Sequence, residues 1–274
     1  MIVEKLISLA KKSRAKIAVG LGEDPEYIRR TSKVAKKAVD TKIAEPILIG
    51  LNPPDNDDFI SISSKNPEKK IIEMLLQNKV DGIVRGSLSS TKFLEELKKQ
   101  LKIDILYRLA ILETADSHQF FFAPVGIDEC RNVEEKLYFV IEGKKIIEKL
   151  GITSKIGILS SGREEDKNRG EHIAKLIIDA IQVVKKAKTK GIENIKNYNI
   201  LIEDAIKDRA NLIIGPDGIS GNLIYRTLVH LGKGRSHGAI YLGLKKPVID
   251  TSRVGPEFEY FSAIAFASAL KVLD

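Results

Sequence analysis

The sequence predicts an α/β protein built on largely parallel sheets, and three observations predict it. Short runs rich in Val, Ile, Leu and Phe alternate with longer, charged stretches of helical periodicity along all 274 residues. Four strand-to-helix junctions are rich in glycine and small polar residues, as befits loops that hold ligands at the carboxyl ends of strands. No internal repeat, low-complexity tract or long linker interrupts the alternation.

The elements follow in order. MIVEKLISLAKKSR is amphipathic and predicts a helix over 2–14; its apolar stretch is too short and too charged for a signal peptide. Lys16–Gly20 is the first strand. Asp24 as cap and Pro25 at the first helical position open a helix over 25–40. Strands at Pro46–Gly50 and Phe59–Ile62 precede a helix over 67–78, and the strand Val80–Val84 a helix over 91–101. Strands at Ile103–Tyr107 and Gln119–Val125 come next, then a helix over 132–150 and the strand Lys155–Ser160. Helices over 167–187 and 200–208 lead to the strand Asn211–Gly215 and a helix over 220–231. The strands Ala239–Leu242 and Pro247–Ile249 and a helix over 256–272 complete the chain. The segment 116–128, with three consecutive phenylalanines and then Pro-Val-Gly, reads as a crossing strand between two domains. On that reading 1–128 and 241–274 form an outer domain into which 129–240 is inserted; a single large domain is the alternative.

Composition narrows the function. The net charge is +8, but the basic residues are mixed with acids along helices, aromatics are only 6%, and no nucleic-acid motif occurs. The surplus fits solvated helix faces and attraction for small anions rather than nucleic acid. No run of 18 apolar residues exists, so no membrane span is expected and the cytoplasm is the natural compartment. One cysteine, Cys130, excludes an internal disulfide and a cysteine metal cluster, and the four histidines lack ligand spacing, so no metal is expected.

Four loops could carry chemistry. In VGLGEDPEYIRR, Gly20 and Gly22 would let a ligand approach the backbone, while Asp24-Pro25 is explained by capping alone. In DGIVRGSLSST, the strand end is followed by Arg85, Gly86, Ser87, Ser89, Ser90 and Thr91. One hydroxyl suffices for a cap; four hydroxyls with an arginine at a helix start favour an anion. In GILSSGREEDKNRG, Gly157 and Gly162 open like a Walker A loop, but Arg163-Glu164 stand where Lys and Ser or Thr are required, so an ATPase is excluded. Ser160, Ser161 and Arg163 there are either anion ligands or plain surface. In NLIIGPDGISGNLIYRTL, three glycines and a proline within eight residues suggest a turn shaped around a ligand, with Asp217 and Asn222 beside it. Finally, KKPVIDTSRVGPEFEYF crowds Asp250, Thr251, Ser252, Arg253, Glu257 and Glu259 at and just beyond the end of an apolar strand.

Together these stretches resemble the phosphate acetyltransferase/phosphate butyryltransferase family. KIAVGLGEDPEYIRRTSKVAKKAV, VDGIVRGSLSST, ILIEDAI, ANLIIGPDGISGNLIYRTL and KKPVIDTSRV match its motifs in order across most of the chain. Arg-Gly-Ser-Leu after the Asp-Gly strand, the LSSGREEDKNRG loop and the short chain resemble more closely the MtxX family (methanogenesis marker protein 4) of that superfamily, found in methanogenic archaea and labelled a methyltransferase subunit. The resemblance implies two α/β domains of the isocitrate/isopropylmalate dehydrogenase type with a cleft between them, and a homodimer. It implies that Ser252 and Arg253 lie in the active cleft, with Glu259 where the family has an aspartate base acting on the thiol of coenzyme A. Glu for Asp lengthens that arm by one methylene, Val254 replaces a glycine, and Arg85 replaces a small residue. The extra arginines imply a more anionic ligand than acetyl phosphate. The expected function is therefore a transferase acting on an acyl phosphate, acyl-CoA or other phosphorylated small molecule, with coenzyme A as a possible co-substrate and no tightly bound cofactor. The alternatives are a methyltransferase-associated subunit with complex partners and a non-catalytic anion binder; nicotinamide-dependent oxidation rests on fold analogy alone.

Overall fold

The structure, a computed structural model, describes residues 1–272. The strands are β1 (Ala15–Gly20), β2 (Ala44–Gly50), β3 (Ile60–Ser63), β4 (Gly82–Val84), β5 (Arg108–Glu113) and β6 (Gln119–Ala123). They continue with β7 (Ile156–Ile158), β8 (Ile195–Asn197), β9 (Leu212–Ile214), β10 (Arg235–Tyr241) and β11 (Val248–Asp250). The helices are α1 (Ile2–Ser13), α2 (Pro25–Asp40), α3 (Pro67–Leu76), α4 (Ser90–Leu101) and α5 (Val133–Lys149). After them come α6 (Glu171–Thr189), α7 (Ile202–Lys207), α8 (Gly218–His230) and α9 (Glu257–Lys271).

The chain forms two compact units, Met1–Leu106 together with the chain from His237 onward, and Tyr107–Ser236. In the first unit the strand order is β3-β2-β1-β4-β11-β10. Every pairing is parallel except that of β10 with β11. β1 is buried on both faces, as strands of a parallel sheet covered by helices must be. Ala18 joins Ile47, Ile49 and Ile83 in a core completed by α3 and α4, where Phe93 and Leu97 are fully buried. α9 lies against α1, α2 and the sheet, and is buried almost all round from Tyr260 to Leu270. Its near-continuous apolar sequence, EYFSAIAFASAL, suits a central helix and no other position. The serines in that run are satisfied: Ser268 Oγ accepts the Ala15 N–H at 3.3 Å and Ser262 Oγ lies 3.0 Å from His237 Nδ1.

In the second unit β5 and β6 are antiparallel, and β6, β9, β7 and β8 follow in parallel. The segment 107–128, expected in the outer domain, packs with this unit because Phe121, Phe122 and Ala123 pair with Leu212, Ile213 and Ile214. The strand expected at Ile103–Tyr107 is not formed. Ile105 there is 44% exposed, and the strand begins at Arg108, where Leu109–Leu112 is wholly buried. β8 was not expected, because at this sheet edge only Ile195 is buried. The helix expected from 167 starts at Glu171; before it, Glu164–Arg169 forms a separate 3-10 turn ended by Gly170.

Candidate functional site

The crowded end of β11 is explained by its neighbour. β11 runs parallel to β4, with Val248 beside Ile83 and Ile249 beside Val84, so Arg85 and Asp250 leave the sheet side by side. Arg85 is only 4% exposed. Its Nε donates to the Asp250 carboxylate, its Nη1 to the Leu88 carbonyl at 2.6 Å and its Nη2 to the Thr251 carbonyl. Burial alone would lower the Arg85 pKa; the adjacent Asp250 charge outweighs it and holds the pKa above its ordinary value. Arg85, expected as an anion ligand, therefore has its guanidinium turned into the protein as a latch on the β11 loop.

The loops after β1 and β4 are bound to the same latch. Thr251 Oγ1 donates to the Gly86 carbonyl at 3.0 Å, Ser87 N–H to the Gly20 carbonyl at 3.1 Å, and Gly22 N–H to Ser87 Oγ at 2.8 Å. Gly86 has φ +63°, and a Cβ there would lie 2.0 Å from the Gly20 carbonyl oxygen, so only glycine fits.

The Ser252-Arg253 turn is held from beneath. Ser252 N–H donates to Glu259 Oε1 at 2.8 Å, and Glu259 itself is 3% exposed. The carboxylate's other oxygen lies under Gly255, where a Cβ would approach it to 2.4 Å. Burial, reinforced by the Asp250 charge, pushes the Glu259 pKa up to about 7, against the pull of the Ser252 N–H, Arg85 and Arg30. The Arg253 carbonyl accepts from Arg30 Nη2 at 2.7 Å and from the Tyr260 hydroxyl at 3.1 Å. Arg30 in turn lies over the rings of Tyr27 and Tyr260, 5.0 and 5.1 Å from their centroids. With its backbone fixed in this way, the Arg253 side chain is exposed and borders a cavity.

That cavity, of about 720 Å³, lies within the first unit at the carboxyl ends of β1, β2 and β4. Gly22, Asp24 and Tyr27 line it after β1, Leu51 after β2, and Ser87, Ser89 and Lys92 after β4. Lys65, Asn66 and Pro67 bring in the start of α3. The capping residues of α2 and α4, Asp24 and Ser89, are both in the wall, so the amino ends of three helices bound the space. The wall is charged with both signs: Arg253, Lys65, Lys69 and Lys92 are its cations, and Glu23, Asp24, Glu68, Glu95 and Glu96 its acids, while the helix amino ends add partial positive charge. Ser90 and Thr91 are exposed in the first turn of α4 and are not among the lining residues.

The remaining sequence candidates belong to the second unit. Ser160 is buried with its hydroxyl donating to the Gly162 carbonyl at 2.7 Å, and Ser161 donates to the Ile173 carbonyl at 3.0 Å. Arg163 is exposed, its backbone N–H capped by Asp166. Asp217 caps α8 by accepting the Ser220 N–H at 2.8 Å, and Asn222 Nδ2 donates to the Val125 carbonyl at 2.8 Å. The glycines of this loop, read from sequence as shaped around a ligand, have a packing reason. A Cβ at Gly218 would lie 2.5 Å from the Gly126 carbonyl oxygen, and one at Gly221 2.3 Å from that of Pro124.

Tyr27, Arg30, Lys65 and Lys92 were not among the sequence candidates, and Asp250 was noted there without its partner Arg85. Lys92 follows a serine-rich helix start and could have been found; Arg30 bonds a residue 223 positions away, which no local pattern reveals. Among the described residues no group of three His, Cys, Asp or Glu side chains is placed to hold a metal ion, and no helix is long and apolar enough to cross a membrane.

With known proteins the chain shares the following. The family model described as Phosphate acetyl/butaryl transferase matches residues 199–268. A Methanosarcina mazei protein named "Putative methyltransferase mtx subunit X" is 39% identical across 100% of this chain and 96% of its own length. The phosphate acetyltransferase of Thermotoga maritima is 22% identical, over 98% of this chain and 99% of that protein. Among solved structures, a phosphotransacetylase from Streptococcus pyogenes has the same fold, with a TM-score of 0.71 at 17% identity, covering 100% of this chain and 98% of that one.

Proposed function

This chain belongs to the MtxX family, on the α/β scaffold of the phosphate acetyl- and butyryltransferases, and from that premise we propose that it is a transferase acting on an anionic small molecule: an acyl phosphate, an acyl-CoA or another phosphorylated compound. The observation that carries the reading is the Ser252-Arg253 turn. Its backbone is fixed by Glu259, Arg30 and Tyr260, while the Arg253 side chain borders a cavity at the carboxyl ends of parallel strands.

In this reading Arg253 contacts the substrate's anionic group, Ser252 holds the turn through its N–H on Glu259, and the amino ends of α2, α3 and α4 add partial positive charge. Group transfer from an acyl phosphate builds negative charge on the carbonyl oxygen and the departing phosphate, which donors held in place stabilise without reorganising. Arg85 positions the turn and does not touch the ligand. Glu259, expected as a base, is covered by Ser252 and Gly255, so its part is also positional. A thiol co-substrate such as coenzyme A then needs its proton taken by another group or by water.

The name of the Methanosarcina mazei relative favours a second reading, in which the chain works as a subunit beside a methyltransferase. We also propose that it pairs with a second copy through α8. That helix buries only Gly218 and Gly221, and leaves Ile219 65% and Leu223 59% exposed.

A thermal-shift panel of inorganic phosphate, acetyl phosphate, butyryl phosphate, coenzyme A and acetyl-CoA tests the transferase reading. Stabilisation by an acyl phosphate or a CoA ester supports it; no shift with any of them at millimolar concentration removes it.

A further inference from the structure

A second cavity, of about 520 Å³, lies in the first unit at the opposite, amino ends of β1 and β2 and beside the edge strand β3. Its lining is divided. Pro46, Ile47 and Phe59 are buried and apolar, and Ile60 is left 59% exposed beside them. Ile60 pairs with Ile47 across β2 and β3, so the two side chains share a face of the sheet. Around this apolar patch stand Arg14, Lys16, Lys42 and Lys79, all exposed. None of the four takes part in an ion pair among the described residues, whereas Lys36, close by, is bonded to Asp58 at 2.6 Å. Asp58 and Glu45 are the acids of the lining, and Asp58 is already neutralised by Lys36.

The backbone at each of these cations is anchored. Arg14 closes α1 with φ 45° and its N–H on the Ala10 carbonyl at 3.0 Å. Lys42 follows α2 with φ 58° and its N–H on the Val39 carbonyl at 2.9 Å, and the Lys79 N–H is on the Met74 carbonyl at 2.9 Å. Lys16 lies within β1, its N–H held by Asp81 at 2.8 Å. A cation near each helix carboxyl end is ordinary complement to the helix dipole. That does not account for Lys16, which lies in a strand, or for all four cations, from three segments of the chain, bordering one cavity with apolar walls.

We propose that this cavity is a second binding site, distinct from the one bordered by Arg253, for a small amphipathic anion whose ring or chain lies on Phe59 and Ile60 and whose carboxylate, sulfonate or phosphate sits among the four cations. The apolar part supplies contact area and the charged part orients it; neither alone matches the divided lining. The inference does not depend on the transferase reading, since none of these residues borders the first cavity.

The probe is 8-anilinonaphthalene-1-sulfonate, titrated by fluorescence into the full chain and into the Lys42→Glu/Lys79→Glu variant. Both substitutions are on exposed residues, so the fold is kept. Saturable binding that weakens at least ten-fold in the variant is expected, as is displacement by phenyl phosphate at concentrations where inorganic phosphate displaces none. An Ile219→Glu/Leu223→Glu variant, which removes the apolar face of α8, should bind the probe as the parent does. Unchanged affinity in the lysine variant, or loss of binding in the α8 variant, overturns the assignment. Equal displacement by inorganic phosphate overturns the amphipathic part of it.

Discussion

Glu259 is the residue at which burial, hydrogen bonding and charge meet. Its carboxyl titrates near 7 in the folded chain against 4.5 ordinarily, because burial and Asp250 disfavour the ionised form. Between these values the native state holds a proton that the unfolded state has released, so stability must fall as pH rises through this window. The contribution is fully present below about 4.5 and gone above about 7, and amounts to on the order of 3 kcal/mol. Glu259→Gln keeps an acceptor for the Ser252 N–H and carries no charge. Its melting temperature should exceed the parent's at pH 8 and match it at pH 4.5; a parallel pair of curves would remove the buried-charge account. Arg85 makes the complementary case. Arg85→Met takes the guanidinium away from the partly buried Asp250, which should cost up to about 3 kcal/mol, whereas Arg85→Met with Asp250→Leu should recover most of that loss. Chemical denaturation of both variants measures it.

At the scale of the element, the site depends on three loops drawn together where β1, β4 and β11 end. Gly86 is the tightest point of that junction. Gly86→Ala sets a Cβ at φ +63° and 2.0 Å from the Gly20 carbonyl oxygen, so it should destabilise by more than about 2 kcal/mol, read as a lowered denaturation midpoint. The alternation of strands and helices was legible in the sequence because parallel strands buried on both faces carry continuous apolar runs, such as Ile17–Val19, Ile47–Ile49, Leu212–Ile214 and Val248–Ile249. The strand β5 was misplaced by a few residues, since Ile103–Tyr107 and Leu109–Leu112 are both apolar and only partnership with β6 distinguishes them. β8 carries too little buried surface to mark itself. Ser252, Arg253 and the loop that bears them stood out in the sequence because a run of polar residues ending an apolar strand is conspicuous. It did not reveal that Arg85 turns inward to Asp250, or that Arg30 and Tyr260 grip the Arg253 carbonyl. Those facts depend on strand order and long-range packing. The glycines of 215–221 misled for a related reason: close contact with the 124–127 segment needs glycine as much as a ligand does.

At the scale of the whole molecule, the two units differ in what they offer. The first carries the two cavities described above and the Ser252-Arg253 turn; the second offers α8, which buries Gly218 and Gly221 and exposes Ile219 and Leu223. If a second copy covers α8, the parent chain scatters light as a dimer at micromolar concentration and Ile219→Glu/Leu223→Glu as a monomer with an unchanged fold. A monomeric parent removes that proposal. The central claim is narrower: Arg253, fixed at its carbonyl and open at its side chain, clamps the anionic group of a substrate. Lysine keeps the charge but loses the planar fork of donors, so Arg253→Lys should weaken binding nearly as much as Arg253→Ala. Losing a charge-assisted hydrogen bond costs roughly 1.5–3 kcal/mol, a ten- to hundred-fold loss of affinity. Isothermal titration of the compound giving the largest thermal shift, on the parent and both variants, decides the matter. The account predicts that loss in both variants with unliganded melting temperatures unchanged; affinity equal to the parent's in both would contradict it.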